Sequence, residues 1–110
     1  IANDYWLSLR KGEPVEIAPP ATIADGLRTT KPGQWNFPII RRLVDDVLLV
    51  TEDEIREAAG FILTRMKLVV EPSGAVAAAA VLAGKLPQRF QRIGIVLSGG
   101  NVDLETLAGL

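Results

Sequence analysis

The stretch Arg92-Ile-Gly-Ile-Val-Leu-Ser98-Gly-Gly-Asn101-Val-Asp-Leu104 decides the fold of this chain, because it joins an apolar run to a glycine-rich turn. The run at 93–97 is bounded by a charge and by the turn, which is typical of a strand buried on both faces. Gly99 and Gly100 lack a Cβ atom, so their backbone can take positive φ angles and admit a ligand close to its N–H groups. We therefore predict that Ser98 and Asn101 lie at the carboxyl end of a strand, where open α/β sheets bind ligands. A plain turn is the alternative interpretation.

The composition excludes several kinds of chemistry. The 110 residues include no cysteine and no histidine, so this sequence holds no disulfide, thiol nucleophile, zinc finger or His-based triad. Any reaction must use carboxylates, hydroxyls, lysines, backbone dipoles or a bound cofactor. The 12 basic and 13 acidic residues are evenly spread and give a net charge of -1, so we expect neither a nucleic-acid nor a membrane partner.

The first residues and the apolar runs indicate whether the sequence is part of a longer protein and whether it crosses a membrane. It begins Ile1-Ala-Asn-Asp4, without an initiator Met or a signal-peptide pattern, so we expect a piece of a longer protein. No apolar run approaches the roughly 18 residues of a membrane span. We expect a cytoplasmic protein.

Four helices are predicted from local signals. A short helix is predicted over 4–10, with Asn3 or Asp4 as its N-cap, and another begins near Pro38 and stops before Val44. The capping box Thr51-Glu-Asp-Glu54 predicts a helix over 52–66, and a run of small residues predicts a helix over 74–83 that is buried nearly all round. The inward stripe of the third helix is Ile55, Ala58, Ala59, Ile62 and Met66.

The order of the elements predicts the fold class. Asp46-Val-Leu-Leu-Val50 reads as a second buried strand before the two long helices, and 93–97 follows them. A strand, helices and a strand at this spacing imply parallel pairing with a right-handed crossover, hence an α/β fold. The corollary is burial of Ile55, Ile62, Val76, Ala79 and Ile95. Because two strands do not make a stable sheet, the other strands must come from residues outside this sequence or from a partner.

Seven short motifs follow one another along the chain. They are Ala2-Asn-Asp4, Thr22-Ile-Ala-Asp-Gly26, Pro38-Ile-Ile-Arg41, Leu43-Val-Asp-Asp46, Val50-Thr-Glu-Asp-Glu-Ile55, Val70-Glu-Pro-Ser-Gly-Ala75 and Val96-Leu-Ser-Gly-Gly-Asn-Val-Asp-Leu104. In this order they resemble the carboxyl-terminal third of a fold-type-II pyridoxal-phosphate enzyme, in the serine/threonine dehydratase and serine racemase branch. The resemblance implies a three-layer open twisted sheet of the tryptophan-synthase-β-like kind, incomplete in this chain. Residues 1–110 would be the carboxyl-terminal part of the large cofactor-binding domain.

The resemblance also implies a cofactor, pyridoxal 5′-phosphate, and residues that bind it. The Ser98 hydroxyl would hydrogen-bond the pyridine nitrogen and leave it largely unprotonated, a moderate electron sink that suits β-elimination. Gly99, Gly100 and Asn101 would belong to the same loop, and Glu71 would lie near the ring. For Glu71 the alternative is a carboxylate placed for the helix dipole.

Two further sites follow from the resemblance. Ala24, Asp25 and Gly26 would line the substrate side of the pocket. Ala2 and Asp4 match the position where racemase-like members hold a divalent cation, so a divalent or monovalent cation is expected. Asp4 as an ordinary helix N-cap is the alternative.

The sequence departs from the family in what it lacks. No lysine stands in the Ser-x-Lys-x-x-Gly context that binds the cofactor covalently, since Lys11, Lys31, Lys67 and Lys85 lie in surface-like or turn-like settings. No glycine-rich run is long enough for a phosphate cradle. We therefore expect no catalytic residue in this segment, and no activity from the segment alone.

Three functions follow, in order of preference. The first is deamination of L-threonine or L-serine to a 2-oxo acid and ammonia by the full-length enzyme, a serine/threonine ammonia-lyase. The second is serine racemisation. The third, of another class, is a noncatalytic α/β module for ligand binding or dimerisation. For the enzyme we expect a small amino-acid substrate and a homo-oligomer.

Overall fold

A computed structural model describes residues 2–110 of the chain. Their contacts form two compact units. The first holds the residues up to Thr22 together with Gly26–Leu49, and the second holds Ile23–Asp25 together with Val50–Leu110.

The first unit contains two helices, α1 (Asp4–Lys11) and α2 (Asn36–Leu43). Helix α1 ends before Gly12, which has a φ of 82°. The Gly12 N–H donates to the Ser8 carbonyl at 2.8 Å. Left-handed glycine is the usual residue after a helix, since it carries no Cβ penalty. Helix α2 ends before Val44, which is extended. Both predicted helices are confirmed.

The second unit contains α3 (Glu52–Phe61), α4 (Pro72–Leu82) and α5 (Leu104–Ala108). The predicted capping box begins α3: the Glu54 N–H donates to Thr51 Oγ1 at 3.2 Å, and the Thr51 N–H donates to Glu54 Oε2 at 2.7 Å. Beyond α3 the chain continues as a π-helical turn, Ile62–Met66. Helix α4 begins two residues earlier than predicted because Pro72, whose ring presets φ and whose missing N–H costs nothing there, occupies its first turn.

The core of the second unit lies between α3 and α4. Its buried residues are Ala24, Ile55, Ala58, Ala59, Ile62, Val70, Ala75, Ala78 and Ala79. Six of these nine are alanines, so the two helices can pack closely along their facing sides.

The two predicted strands are wrong as individual elements. None of the described residues 2–110 lies in a β-strand, including those at 46–50 and 93–97. An apolar run reports only that a segment suits a buried environment, whereas a strand exists only where a second segment supplies a ladder of hydrogen bonds. Ile95 is accordingly 39% exposed rather than buried.

Other burial predictions also need correction. Met66 is 50% exposed, because the i→i+5 bonding of the π-helical turn rotates its side chain off the inward stripe of α3. Six of the eleven residues of α4 are buried, and Val76 is only partly buried, while Ala77 and Leu82 are exposed, so α4 is covered on most sides but not all round. Ile55, Ala58 and Ala59 of α3, Ile62 at the start of the π-helical turn, and Ala79 of α4 are buried as expected.

The capping box predicts a pH-dependent part of the stability. The Lys85 ammonium, 2.8 Å from Glu54 Oε2, and then the Thr51 N–H hold the pKa of Glu54 below its ordinary value. A lowered folded-state pKa stabilises the fold above the unfolded pKa of about 4.3, and the contribution is lost as pH falls through the folded value. We expect Glu54→Gln to lower the Tm of the full-length protein at pH 7 and to have a smaller effect below pH 4. An equal effect at both pH values would contradict this role.

None of the helices that residues 2–110 form is long and apolar enough to cross a membrane.

Candidate cofactor and substrate site

The glycine-rich loop at 98–101 lies directly against the residues that lead into α4. Gly99 has a φ of 79°, and a Cβ atom there would overlap the carboxylate of Glu71. A Cβ atom on Gly74 would overlap the Ser98 carbonyl oxygen, and one on Gly100 would lie 3.1 Å from the Val69 carbonyl oxygen. The structure therefore brings together the loop and Glu71, which the sequence analysis assigned to one site.

The Ser98 hydroxyl is available to a ligand. Ser98 is exposed, and its hydroxyl makes no hydrogen bond with any other described residue. A hydroxyl can donate to or accept from a ring nitrogen, so the residue has the chemistry that a pyridine ring requires. Asn101 is also exposed, and its side chain likewise has no hydrogen-bond partner within residues 2–110.

Glu71 sits immediately before α4 and is its N-cap residue, but its side chain makes no capping hydrogen bond. Its carbonyl oxygen instead accepts the N–H groups of Gly74 at 2.9 Å and Ala75 at 3.2 Å. Pro72 has no N–H to offer. These residues leave few N–H groups of the first turn of α4 available to a ligand.

The predicted substrate-side segment is tied to the same end of α4. Asp25 Oδ1 accepts the Ser73 hydroxyl at 3.2 Å, and the Ile23 N–H donates to Glu52 Oε2 at 2.9 Å. Ala24 is completely buried within the core, so its neighbour Asp25, which is exposed, is the residue that can present a side chain. Gly26 lies in the single 3₁₀ turn Asp25–Leu27 and is also exposed.

Asp4 carries a buried carboxylate oxygen without a partner. The residue is 5% exposed, and its Oδ2 has no hydrogen bond to any described residue. Asn3 rather than Asp4 occupies the N-cap position of α1. An unpaired buried carboxylate is costly unless a cation or a donor satisfies it, and carboxylate oxygens are ligands for hard cations. Within residues 2–110 no group of three or more acidic side chains completes such a site, and Ala2 is partly buried.

Each of the four lysines makes an ion pair or a hydrogen bond with another described residue. Lys11 pairs with Glu13 at 2.8 Å and Lys31 with Glu16 at 4.0 Å. Lys85 pairs with Glu54, and the Lys67 ammonium donates to the Thr64 carbonyl. None of these contacts involves the loop at 98–101.

Helix α5 was not predicted from the sequence. The Thr106 N–H donates to Asp103 Oδ1 at 2.7 Å, and this bond is the main cause that lowers the pKa of Asp103. Aspartate is a preferred N-cap residue, so Asp103 was a signal from which this helix could have been predicted. The glycine-rich loop is therefore followed directly by a capped helix.

Comparison with known proteins identifies the family. The profile of the family described as pyridoxal-phosphate dependent enzymes matches residues 2–99. The chain belongs to this family. The expected fold class and cofactor are thereby confirmed: the chain is part of a fold-type-II pyridoxal-phosphate enzyme.

Individual relatives narrow the branch. The serine racemase of Schizosaccharomyces pombe is 47% identical over 106 residues, which are 96% of this chain and 33% of that protein. The L-threo-3-hydroxyaspartate ammonia-lyase of Pseudomonas sp is 47% identical over 108 residues, 98% of this chain and 34% of that protein. The crystal structure of the T.th. threonine deaminase superposes with a TM-score of 0.87 at 45% identity, covering 94% of this chain and 35% of that one. The chain thus spans about a third of the length of these relatives.

Proposed function

We propose that these residues are the carboxyl-terminal part of the large cofactor-binding domain of an enzyme that deaminates L-threonine or L-serine to a 2-oxo acid and ammonia. The observation that carries the proposal is the free Ser98 hydroxyl on a loop held against Glu71, in a chain that belongs to the pyridoxal-phosphate family. The names of the relatives share one substrate chemistry, an amino acid with a hydroxyl on its β-carbon.

The roles of this chain follow from the groups that it offers. Bound pyridoxal phosphate supplies an electron sink for negative charge at the substrate α-carbon. Ser98 would hold the ring nitrogen by a neutral hydrogen bond, which does not force that nitrogen to be protonated. Glu71, packed on Gly99, would border the ring. Asp25 and Gly26 would border the substrate, and the covalent lysine and the phosphate cradle would be supplied by the rest of the enzyme.

Serine racemisation is the second candidate. It needs the same ring contacts, followed by return of the proton to the opposite face of the α-carbon. Two observations favour it: the relative named serine racemase, and the buried, unpartnered Oδ2 of Asp4.

We propose that Asp4, with the Ala2 carbonyl, ligates a divalent or monovalent cation. Magnesium should then raise the Tm of the full-length protein, and Asp4→Asn should abolish that rise. An equal rise in both proteins would remove Asp4 from the site.

The reaction itself is tested on the full-length protein supplied with pyridoxal phosphate. L-serine, L-threonine and L-threo-3-hydroxyaspartate are offered separately, and ammonia, 2-oxo acid and D-serine are measured. We expect 2-oxo acid and ammonia in equal amounts from L-threonine or L-serine. Formation of D-serine without 2-oxo acid would establish the racemase instead, and no product from any of the three would reject both.

Ser98→Ala tests the ring contact. The hydroxyl has no partner among the described residues, so the fold should be unaffected, while affinity for the cofactor should fall by about 0.5–1.5 kcal/mol for one neutral hydrogen bond. The measurement is a titration of the full-length protein with pyridoxal phosphate, followed by absorbance. Ser98→Thr, which keeps a hydroxyl, is the matched control. Unchanged affinity in Ser98→Ala would exclude Ser98 from the site.

A further inference from the structure

The segment Ile23–Asp25 is held by two helix N-termini that are distant from it in the sequence. The Glu52 carboxylate, in the first turn of α3, accepts the Ile23 N–H at 2.9 Å. The Ser73 hydroxyl, in the first turn of α4, donates to Asp25 Oδ1 at 3.2 Å. Between these two bonds Ala24 is completely buried in the core. The segment is therefore fixed on both sides of a buried residue.

The backbone within the segment is also constrained. The Asp25 N–H folds back to donate to the Ile23 carbonyl at 3.0 Å. In this tight turn the side chain of Asp25 is exposed, whereas the methyl group of Ala24 is buried in the core. Because Ile23 is itself partly buried, loss of the Glu52 acceptor would leave its N–H poorly satisfied, which favours a rearranged turn.

Glu52 has a simpler interpretation, which is that its charge favours the positive end of α3. The same turn already contains two other acids, Asp53 and Glu54. Asp53 is exposed, and Glu54 closes the capping box, so Glu52 is the acid of this turn whose carboxylate reaches Ile23. Glu52 therefore differs from Asp53 and Glu54 in the hydrogen bond that it accepts from Ile23, and not in its charge, which all three share.

We propose that Glu52 and Ser73 are positioning residues that set the substrate-side wall of the site, by fixing Asp25 relative to the first turn of α4. The inference rests on the proposed function, in which Asp25 and Gly26 border a 2-amino-3-hydroxy acid. Glu52 acts through the Ile23 backbone and Ser73 through the Asp25 carboxylate. In this role both act through the segment, so their loss should change how the substrate is held rather than whether the cofactor binds.

The test uses four variants of the full-length holoenzyme: Glu52→Ala, Glu52→Gln, Asp53→Ala and Ser73→Ala. Glutamine keeps an acceptor oxygen but removes the charge, whereas Asp53→Ala removes a first-turn charge that does not bind the segment. We expect Glu52→Ala to raise KM for the β-hydroxy amino acid about tenfold, the effect of losing one hydrogen bond to a partly buried N–H group. Ser73→Ala should raise KM severalfold, and Glu52→Gln and Asp53→Ala should stay near the wild type. Cofactor absorbance should be unchanged in all four.

Amide hydrogen exchange of residues 22–27 in the same proteins gives a readout that does not need activity. Exchange should accelerate in Glu52→Ala and Ser73→Ala, but not in Asp53→Ala. The inference is overturned if Glu52→Ala keeps the wild-type KM and exchange, if Asp53→Ala matches it, or if Glu52→Gln is equally impaired. Should the wild type convert none of the three amino acids, the proposed function fails, and the anchoring of the segment is then decided by hydrogen exchange alone.

Discussion

Replacing Gly74 with alanine is expected to lower the stability of the protein and to weaken its hold on the cofactor. The added methyl group would overlap the Ser98 carbonyl oxygen and lie 2.9 Å from Val70 Cγ2. Val70 is a buried core residue, so it has little room to move, whereas Ser98 lies in an exposed loop. Overpacking of this kind costs about 1–3 kcal/mol, and the loop would relieve it by moving Ser98 away from its position.

Gly60→Ala is the matched control, since both glycines are helical. A Cβ atom on Gly60 meets nothing within 4 Å. Alanine there should stabilise α3 by about 0.5–1 kcal/mol through its lower conformational entropy in the unfolded chain. Tm and cofactor affinity of the two full-length variants are the measurements. If Gly74→Ala also raised Tm and left the affinity unchanged, the close contact between the loop and α4 would not exist in the enzyme.

The 110 residues by themselves are expected to be inactive. Mixed with pyridoxal phosphate and borohydride, they should retain no covalent cofactor, and they should release no ammonia from L-serine or L-threonine. Each of the four lysines makes an ion pair or a hydrogen bond with a residue outside the loop, and the Gly74 and Ala75 N–H groups donate to the Glu71 carbonyl. Affinity would then rest on a single ring contact, too little to overcome the entropy of binding.

The full-length protein under the same conditions is the control for this experiment. Circular dichroism of the 110-residue chain should be recorded in parallel, to verify that the assayed chain is helical. A stoichiometric adduct at one specific lysine, accompanied by turnover, would show that the catalytic amine lies within these residues and that its local partner is exchanged for the cofactor.

The helices could be predicted from the sequence because their signals are local. The Thr51 capping box, Pro72 at the first turn of α4 and Gly12 after α1 each act within four residues of the element that they delimit. The inward stripe of α3 was also readable as far as the α-helical period lasts. The burial prediction was wrong at Met66, in the π-helical turn, because the change from α- to π-type bonding leaves no clear periodic signal in the sequence.

The sequence by itself determined the family, the cofactor and the residues of the glycine-rich loop, since these depend on the order of motifs and on the absence of Cβ atoms. Only the tertiary structure decided which groups meet. The bond from Ile23 to Glu52 joins residues 29 apart, and that from Ser73 to Asp25 joins residues 48 apart. The apolar runs at 46–50 and 93–97 show the same difference between what the sequence determines and what the tertiary structure decides. A chain can specify apolar, extended-prone segments locally, but strand pairing is a contact between segments, and the structure forms none within residues 2–110.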